Sequence, residues 1–303
     1  NWLMKGVDCY HFTDFVVRPV KRKPVVVTIY DLSFKRFPEF IEPRNLKYLE
    51  TFVPLSLERA DRVIAISEFT RNELISVFDI PPAKIKVVYG GIDDIFREPV
   101  TPDELIRVRY RFNLPRKYIL TVGTWEPRKN LVRLLEAWKI MEGRGKTFDC
   151  KLVMVGMKGW LYGEIEQKYR NLAGRRGVRS IGYVPRTALP ALYQGAEAFV
   201  FPSLYEGQGF PPLEAMASGV PVAASRAASL PEVLGEAAAY FDPGDPGSIA
   251  EVLSEILENP ESAVRLRKAG KKQAAGFTWL RTARETSRIY HEASGRGIPL
   301  DVS

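Results

Sequence analysis

Histidine and cysteine are scarce in this sequence: two of each among 303 residues, His11 and His291, Cys9 and Cys150. Two histidines exclude a multi-histidine metal centre. The cysteines lie far apart without partners at metal-ligand spacing, so neither a metal site nor a disulfide framework is expected, and a reducing cytoplasm suits them. Long apolar runs are missing too. The richest stretches, Val25-Val26-Val27 and 196–202, have strand length, well short of the ~20 residues that cross a bilayer. Asn1-Trp2-Leu3-Met4-Lys5 lacks the extended apolar core of a secretory signal. No Gly-x-Gly-x-x-Gly follows a strand near an acidic residue, which counts against a nicotinamide dehydrogenase. Neither zinc-finger spacing nor an aromatic-interleaved RNA signature occurs, so nucleic acid is not an expected partner.

What remains is an ordinary globular composition, 46% hydrophobic and 26% charged, enough to bury sizeable cores in about two domains. Lys and Arg outnumber Asp and Glu by 44 to 36, a formal charge of +8. The basic clusters are short and scattered: Lys21-Arg22-Lys23, Arg175-Arg176, and Arg265 to Lys272. They read as solvated surface, with contact to an anionic membrane face next in order.

Strand-like and helix-like stretches alternate. In the first region Val25–Tyr30, Arg62–Ile66 and Lys86–Tyr89 read as strands, and 44–59 and 67–78 as helices, the second capped by Ser67. After a proline-rich connection over 93–115, six more strands alternate with helices, the pattern of a complete doubly wound α/β domain. About three strands in the first region are too few for an independent domain of that kind. The sequence therefore predicts that the amino-terminal half of that domain is missing.

The densest constellation is Phe201-Pro-Ser-Leu-Tyr-Glu-Gly-Gln-Gly-Phe-Pro-Pro-Leu-Glu-Ala-Met-Ala-Ser-Gly-Val-Pro-Val222. A strand ends at Phe201, a glycine loop follows, and Pro212 suits a first helical position. Gly207 and Gly209 let the backbone approach a ligand and turn amides outward, where an anion is favoured. Glu206 precedes the helix, Glu214 falls in its first turn, and both are expected to flank one mouth. Piecemeal, each feature has a bland account: Gly-x-Gly is a common turn, and the helix dipole alone favours an early glutamate. Their order together is far more restrictive.

That order resembles the E-x7-E signature of the retaining glycosyltransferases of group 1, also called family 4. Leu120-Thr-Val-Gly-Thr-Trp-Glu-Pro-Arg-Lys-Asn-Leu131 resembles the family's diphosphate-binding segment. Gly123 ends a strand at the sheet edge where such folds bind ligands, and Arg128 and Lys129 bring two positive charges to a helix start. The family often carries arginine directly after the glycine; Thr124 stands there here. Gly182-Tyr183-Val184-Pro185 resembles the loop that meets the nucleotide base, with Gly156 at a similar strand end. Thr28 to Phe34 resembles a strand end that usually reads His-Asp, with Tyr30 in place of the histidine. Ser67 to Thr70, Val88 to Asp93 and Phe277 to Trp279 match the rest of the first domain and its returning tail. Trp160, Tyr162, Cys9 and His11 read as packing rather than ligand contacts.

The resemblance implies a GT-B architecture, two Rossmann-like domains facing a cleft, the first incomplete. Residues 1–95 with 280–303 would form the partial acceptor-side domain, and 96–279 the nucleotide-sugar-binding domain. It implies transfer of a hexose, with mannose slightly favoured, from a nucleoside-diphosphate sugar to a glycan or lipid-linked acceptor in polysaccharide biosynthesis. The anomeric configuration would be retained through front-face attack. Glu206, Lys129 and Arg128 take the catalytic roles; Gly123, Thr124, Val184, Gly207, Gln208, Gly209, Phe210 and Glu214 bind the donor. No metal and no cofactor is expected, consistent with the lack of an Asp-x-Asp motif. The setting implied is cytoplasmic, with peripheral contact at the inner membrane face. A sugar-nucleotide epimerase or phosphorylase on the same fold stays open at this stage, as does a non-catalytic glycan-binding relative.

Overall fold

A computed structural model of the chain describes residues 7–20, 23–147, 149–173 and 177–295. The chain divides into two compact units, Asn1–Gly91 with Phe277–Ser303, and Ile92–Gly276. The sequence limits drawn above, at 95/96 and 279/280, fall three or four residues later.

In the first unit, β1 (Tyr10–Phe12), β2 (Val25–Ile29), α1 (Ser33–Arg36), α2 (Pro43–Arg59), β3 (Arg62–Ala65), α3 (Glu68–Phe78) and β4 (Ile85–Val87) follow one another. The sheet is parallel in the order β1-β2-β3-β4, with four strands where about three were expected. β1 has only three residues, none of them β-branched, so no apolar run announces it. Strand alternation sorts the valines of β2 by face. Val25, Val27 and Ile29 join Val53 and Leu57 of α2 and Leu74 of α3 in one core, while Val26 joins Ile64 and Val88 on the other side. Ser67 caps α3 as expected, its Oγ accepting from the Thr70 amide at 3.1 Å.

The second unit runs α4 (Pro102–Arg111), β5 (Tyr118–Val122), α5 (Leu131–Gly143), β6 (Lys151–Val155), α6 (Gly163–Leu172), β7 (Val178–Gly182), α7 (Leu189–Gln194), β8 (Ala198–Phe201), α8 (Phe210–Ala217), β9 (Val222–Ser225), α9 (Leu230–Leu234), β10 (Ala239–Phe241), α10 (Pro246–Glu258) and α11 (Pro260–Ala275). Its six parallel strands lie in the order β10-β9-β8-β5-β6-β7. Counted within the unit this is 6-5-4-1-2-3, the doubly wound order, and its switch point falls between β5 and β8. Both faces are covered, as a parallel sheet requires. Ile119, Leu152, Met154 and Val200 pack with Leu134 and Trp138 of α5 and Leu253 of α10. On the opposite face Phe199 meets Tyr193 of α7 edge-on, ring centroids 5.4 Å apart.

α12 (Trp279–Ser294) belongs again to the first unit. Its buried Ile289 completes the core around Val26, Ile64 and Val88, and Thr282 Oγ1 donates to the Tyr89 carbonyl at 2.7 Å. No helix among the described residues is long and apolar enough to cross a membrane.

Candidate active site

At the switch point, the chain leaving β5 turns sharply before α5. Pro127–Lys129 forms a single 3-10 turn, and Asn130 follows in the left-handed region (φ +56°). Asparagine tolerates that conformation better than most residues. Its buried side chain donates to the carbonyls of Pro202 (3.0 Å) and Pro243 (2.8 Å), tying the turn to the segment after β8. The Leu204 amide donates to the Arg128 carbonyl at 2.9 Å, a second tie between the same two segments. The β5 turn and the glycine loop are thus one framework.

That framework brings Lys129, Arg128 and Glu206 together. Lys129 Nζ lies 2.6 Å from Glu206 Oε1, and Arg128 Nη1 lies 3.1 Å from Glu206 Oε2. Arg128 also donates to the Tyr205 carbonyl (2.8 Å) and to Glu126 Oε1 (2.8 Å). Burial pushes the Glu206 carboxyl up, but the Lys129 and Arg128 charges outweigh it and hold the group below its ordinary value. Glu206 is therefore an ionised, oriented carboxylate. The alkyl stem of Lys129 runs beside Gly123, where an added Cβ would sit 3.7 Å from Cγ and Cδ. Gly156 adjoins from the β6 end at φ +139°, its would-be Cβ only 1.9 Å from the Gly123 carbonyl oxygen. Only glycine fits there.

Beyond Glu206, Gly207, Gln208 and Gly209 are buried and Phe210 is half-buried. Two expectations are corrected here. α8 starts at Phe210 rather than Pro212, because Gly209 at φ +83° turns the chain into the helix two residues earlier. Pro211 and Pro212 both fall in the first turn, where their missing amides are no loss. Glu214 is consequently the fifth helical residue and lies outside the first turn. Among the described residues no side chain caps this helix.

Glu214 sits in a second polar cluster with partners different from those of Glu206. Tyr193 donates to Oε2 at 3.0 Å, and Arg186 Nη1 lies 3.5 Å from Oε1. Arg186 is itself held by Asp93 Oδ2, 2.6 Å from Nη2, and lies over the Phe96 ring at 5.3 Å. Burial raises the Glu214 carboxyl above its ordinary value, against the Tyr193 hydrogen bond and the Arg186 charge. Val184 is buried beside the exposed Tyr183, and Thr124 is exposed. Among the described residues there is no group of three or more His, Cys, Asp and Glu that could hold a metal ion.

Sequence reasoning missed Glu126, Asn130, Arg186 and Tyr193. Glu126 and Asn130 stood inside the quoted 120–131 motif and Arg186 directly follows the Gly182 to Pro185 loop, so position was their available signal. Tyr193 offered none; it looks like any core aromatic on a short helix. Tyr162 packs against the core, while Trp160 is 41% exposed. In the first unit His11 is packed, its ring nitrogens hydrogen-bonding Tyr290 Oη (2.6 Å) and Thr28 Oγ1 (2.8 Å). Tyr30 is half-buried against Phe15.

Solved structures share this fold. The sucrose-phosphate synthase (tll1590) from Thermosynechococcus elongatus superposes over 96% of this chain and 74% of its own, with a TM-score of 0.78 at 23% identity. Anabaena Alr3699/HepE, crystallised in complex with UDP and glucose, matches 90% of this chain and 72% of its own, TM-score 0.74 at 20% identity. Two parallel α/β units of this topology define the GT-B class of glycosyltransferase. The family model for glycosyl transferases group 1 matches residues 102–273, and that for glycosyltransferase family 4 matches residues 6–95. The chain belongs to the group 1 glycosyl transferases. The O-antigen chain mannosyltransferase B of Escherichia coli is 34% identical to it over 284 residues, covering 93% of this chain and 73% of that protein.

Proposed function

We propose that the chain transfers a mannosyl residue from a nucleoside-diphosphate donor to a hydroxyl of a glycan or lipid-linked acceptor, with retained anomeric configuration. The observation that carries this reading is the Lys129–Glu206 pair, 2.6 Å apart, where the segments leaving β5 and β8 meet at the switch point of the sheet. The mannosyl preference draws on the 34% identical mannosyltransferase, and the nucleotide donor on the fold neighbour crystallised with UDP and glucose.

In this reading the sugar C1–oxygen bond breaks and negative charge grows on the departing diphosphate. The acceptor oxygen forms the new bond to C1 on the same face, and its proton passes to a phosphate oxygen of the leaving group. Lys129 meets that charge, and a donor well placed on growing charge is worth about 3–4 kcal/mol. The amides at Gly209 and Phe210, at the uncapped start of α8, add oriented dipoles. Glu206, kept ionised by its neighbours, holds donor-sugar hydroxyls and faces the positive character of the ring. Glu214 accepts from the ribose hydroxyls, and the backbone around Val184 meets the base. A lysine cation then does the work a divalent ion does elsewhere, so turnover is expected to persist in EDTA.

The basic balance of +8 favours an acceptor presented at an anionic membrane face, reached from the cytoplasmic side. The test is incubation with radiolabelled GDP-mannose, UDP-glucose and UDP-galactose against lipid-linked and free glycan acceptors. Label is expected in the acceptor from GDP-mannose, with GDP released. Isomerised donor without acceptor labelling would mean an epimerase instead.

A further inference from the structure

We infer that Glu126 and Arg128 form a positioning pair that fixes Glu206 and its loop, leaving Lys129 as the cation that moves onto the donor's diphosphate. The inference rests on the donor-site reading above and divides a task that the sequence assigns to both basic residues.

Arg128 grips three successive residues of the loop after β8. Its carbonyl accepts the Leu204 amide (2.9 Å), Nη1 donates to the Tyr205 carbonyl (2.8 Å), and the same nitrogen pairs with Glu206 Oε2 (3.1 Å). Nη2 is held by Glu126 Oε1 at 2.8 Å. Glu126 is 2% exposed, and a carboxylate so buried is costly unless paired. The four charged groups, Arg128, Lys129, Glu126 and Glu206, sum to zero, so the cluster as a whole is no anion trap. Arginine's planar fork is rigid, and here both terminal nitrogens have carboxylate or carbonyl partners. Lysine is a point charge on a flexible stem. The Lys129 ammonium has Glu206 as its ion-pair partner, lies 5.3 Å from the centre of the Phe201 ring, and has a glycine beside its stem. Of the two cations, Lys129 has the freedom to exchange a carboxylate for a phosphate oxygen. Arg128 cannot turn without releasing the Tyr205 carbonyl and both carboxylates at once.

The two assignments predict opposite outcomes for Glu126→Gln. If Arg128 binds the diphosphate, removing the adjacent negative charge tightens nucleotide binding. If Arg128 positions Glu206, the loop slackens: kcat falls roughly 10- to 100-fold, the cost of small misplacement. GDP and UDP affinity, measured by calorimetry, then stays within about twofold, the usual scale of uncoupled changes. Arg128→Gln should give the same split, and the double variant Glu126→Gln/Arg128→Gln should be no worse than either alone. The double variant leaves no lone buried charge, so it answers the question should a single variant fail to fold. Tighter GDP or UDP binding in Glu126→Gln overturns the inference, as do unchanged kcat in the double variant and additive losses. Lys129→Ala is the separate control. Undiminished GDP and UDP affinity in that variant would refute the donor-site reading itself, whatever Glu126 does.

Discussion

Lys129 and Glu206 neutralise one another across 2.6 Å, and the proposed reading gives each a different task once a donor arrives. In that reading the ammonium serves the leaving group and the carboxylate the sugar, so their pairing holds both in place. Lys129 is then the cation that meets the departing diphosphate, so Lys129→Ala should lower kcat by about 10²–10³ at saturating donor. A radiolabel transfer assay measures this directly, and near-wild-type turnover would reject the assignment. The two glutamates should also differ in pH response. Glu206 has a lowered folded pKa, so its contribution to stability is present above the ordinary glutamate value and lost only as pH falls through the lowered one. Glu214 is raised by burial, with the reverse sign: its contribution is present below the ordinary value and lost as pH rises through the raised one. At neutral pH, Glu214→Gln is therefore expected to hold or raise the melting temperature while weakening nucleotide affinity. The wild-type affinity should decline on acidification through that raised pKa, and the variant's should stay flat. Calorimetry and thermal melts across pH check both halves.

At the scale of single elements, the end of β6 and the start of α8 depend on backbone shapes that side chains disfavour. Gly209 stands at φ +83°, and a Cβ there would lie 2.6 Å from Leu230 Cδ2, the far end of a side chain that can move. Gly156 is worse placed, its Cβ 1.9 Å from a backbone oxygen that cannot. Gly209→Ala should cost about 1–2 kcal/mol, the usual left-handed penalty, and Gly156→Ala clearly more. Urea titration with unchanged m would measure the difference, and equal losses would contradict the geometry. These elements also show what the residues announced. Val25–Ile29 and Tyr118–Val122 were legible because β-branched and apolar runs suit strands buried on both faces. β1 was legible only as a strand terminus around His11, since three residues carry no apolar pattern. The helix after the glycine loop was legible in kind but not in register: Pro212 signals a helix start equally well one, two or three residues in, and only the Gly209 dihedral decides. The Glu206 and Lys129 positions could be read from their motifs. The Arg186–Glu214–Tyr193 cluster could not, because its members are separated in sequence and meet only through packing.

For the molecule as a whole, the chain visits its first unit twice, and the second visit matters to stability in a testable way. α12 brings Ile289 into the core with Val26, Ile64 and Val88, whereas the candidate site lies wholly within Ile92–Gly276. Deleting three methyl-sized groups there leaves a cavity in the first unit, whereas every candidate site residue belongs to the second. Ile289→Ala should cost about 2–5 kcal/mol in chemical denaturation. GDP at about a hundred times its dissociation constant should stabilise the state that binds it by about 2.7 kcal/mol in either protein, since linkage depends on affinity alone. The expected pattern is thus a lowered baseline with an undiminished nucleotide increment. A fall in GDP affinity in Ile289→Ala would overturn the assignment of the nucleotide site to residues of Ile92–Gly276 alone.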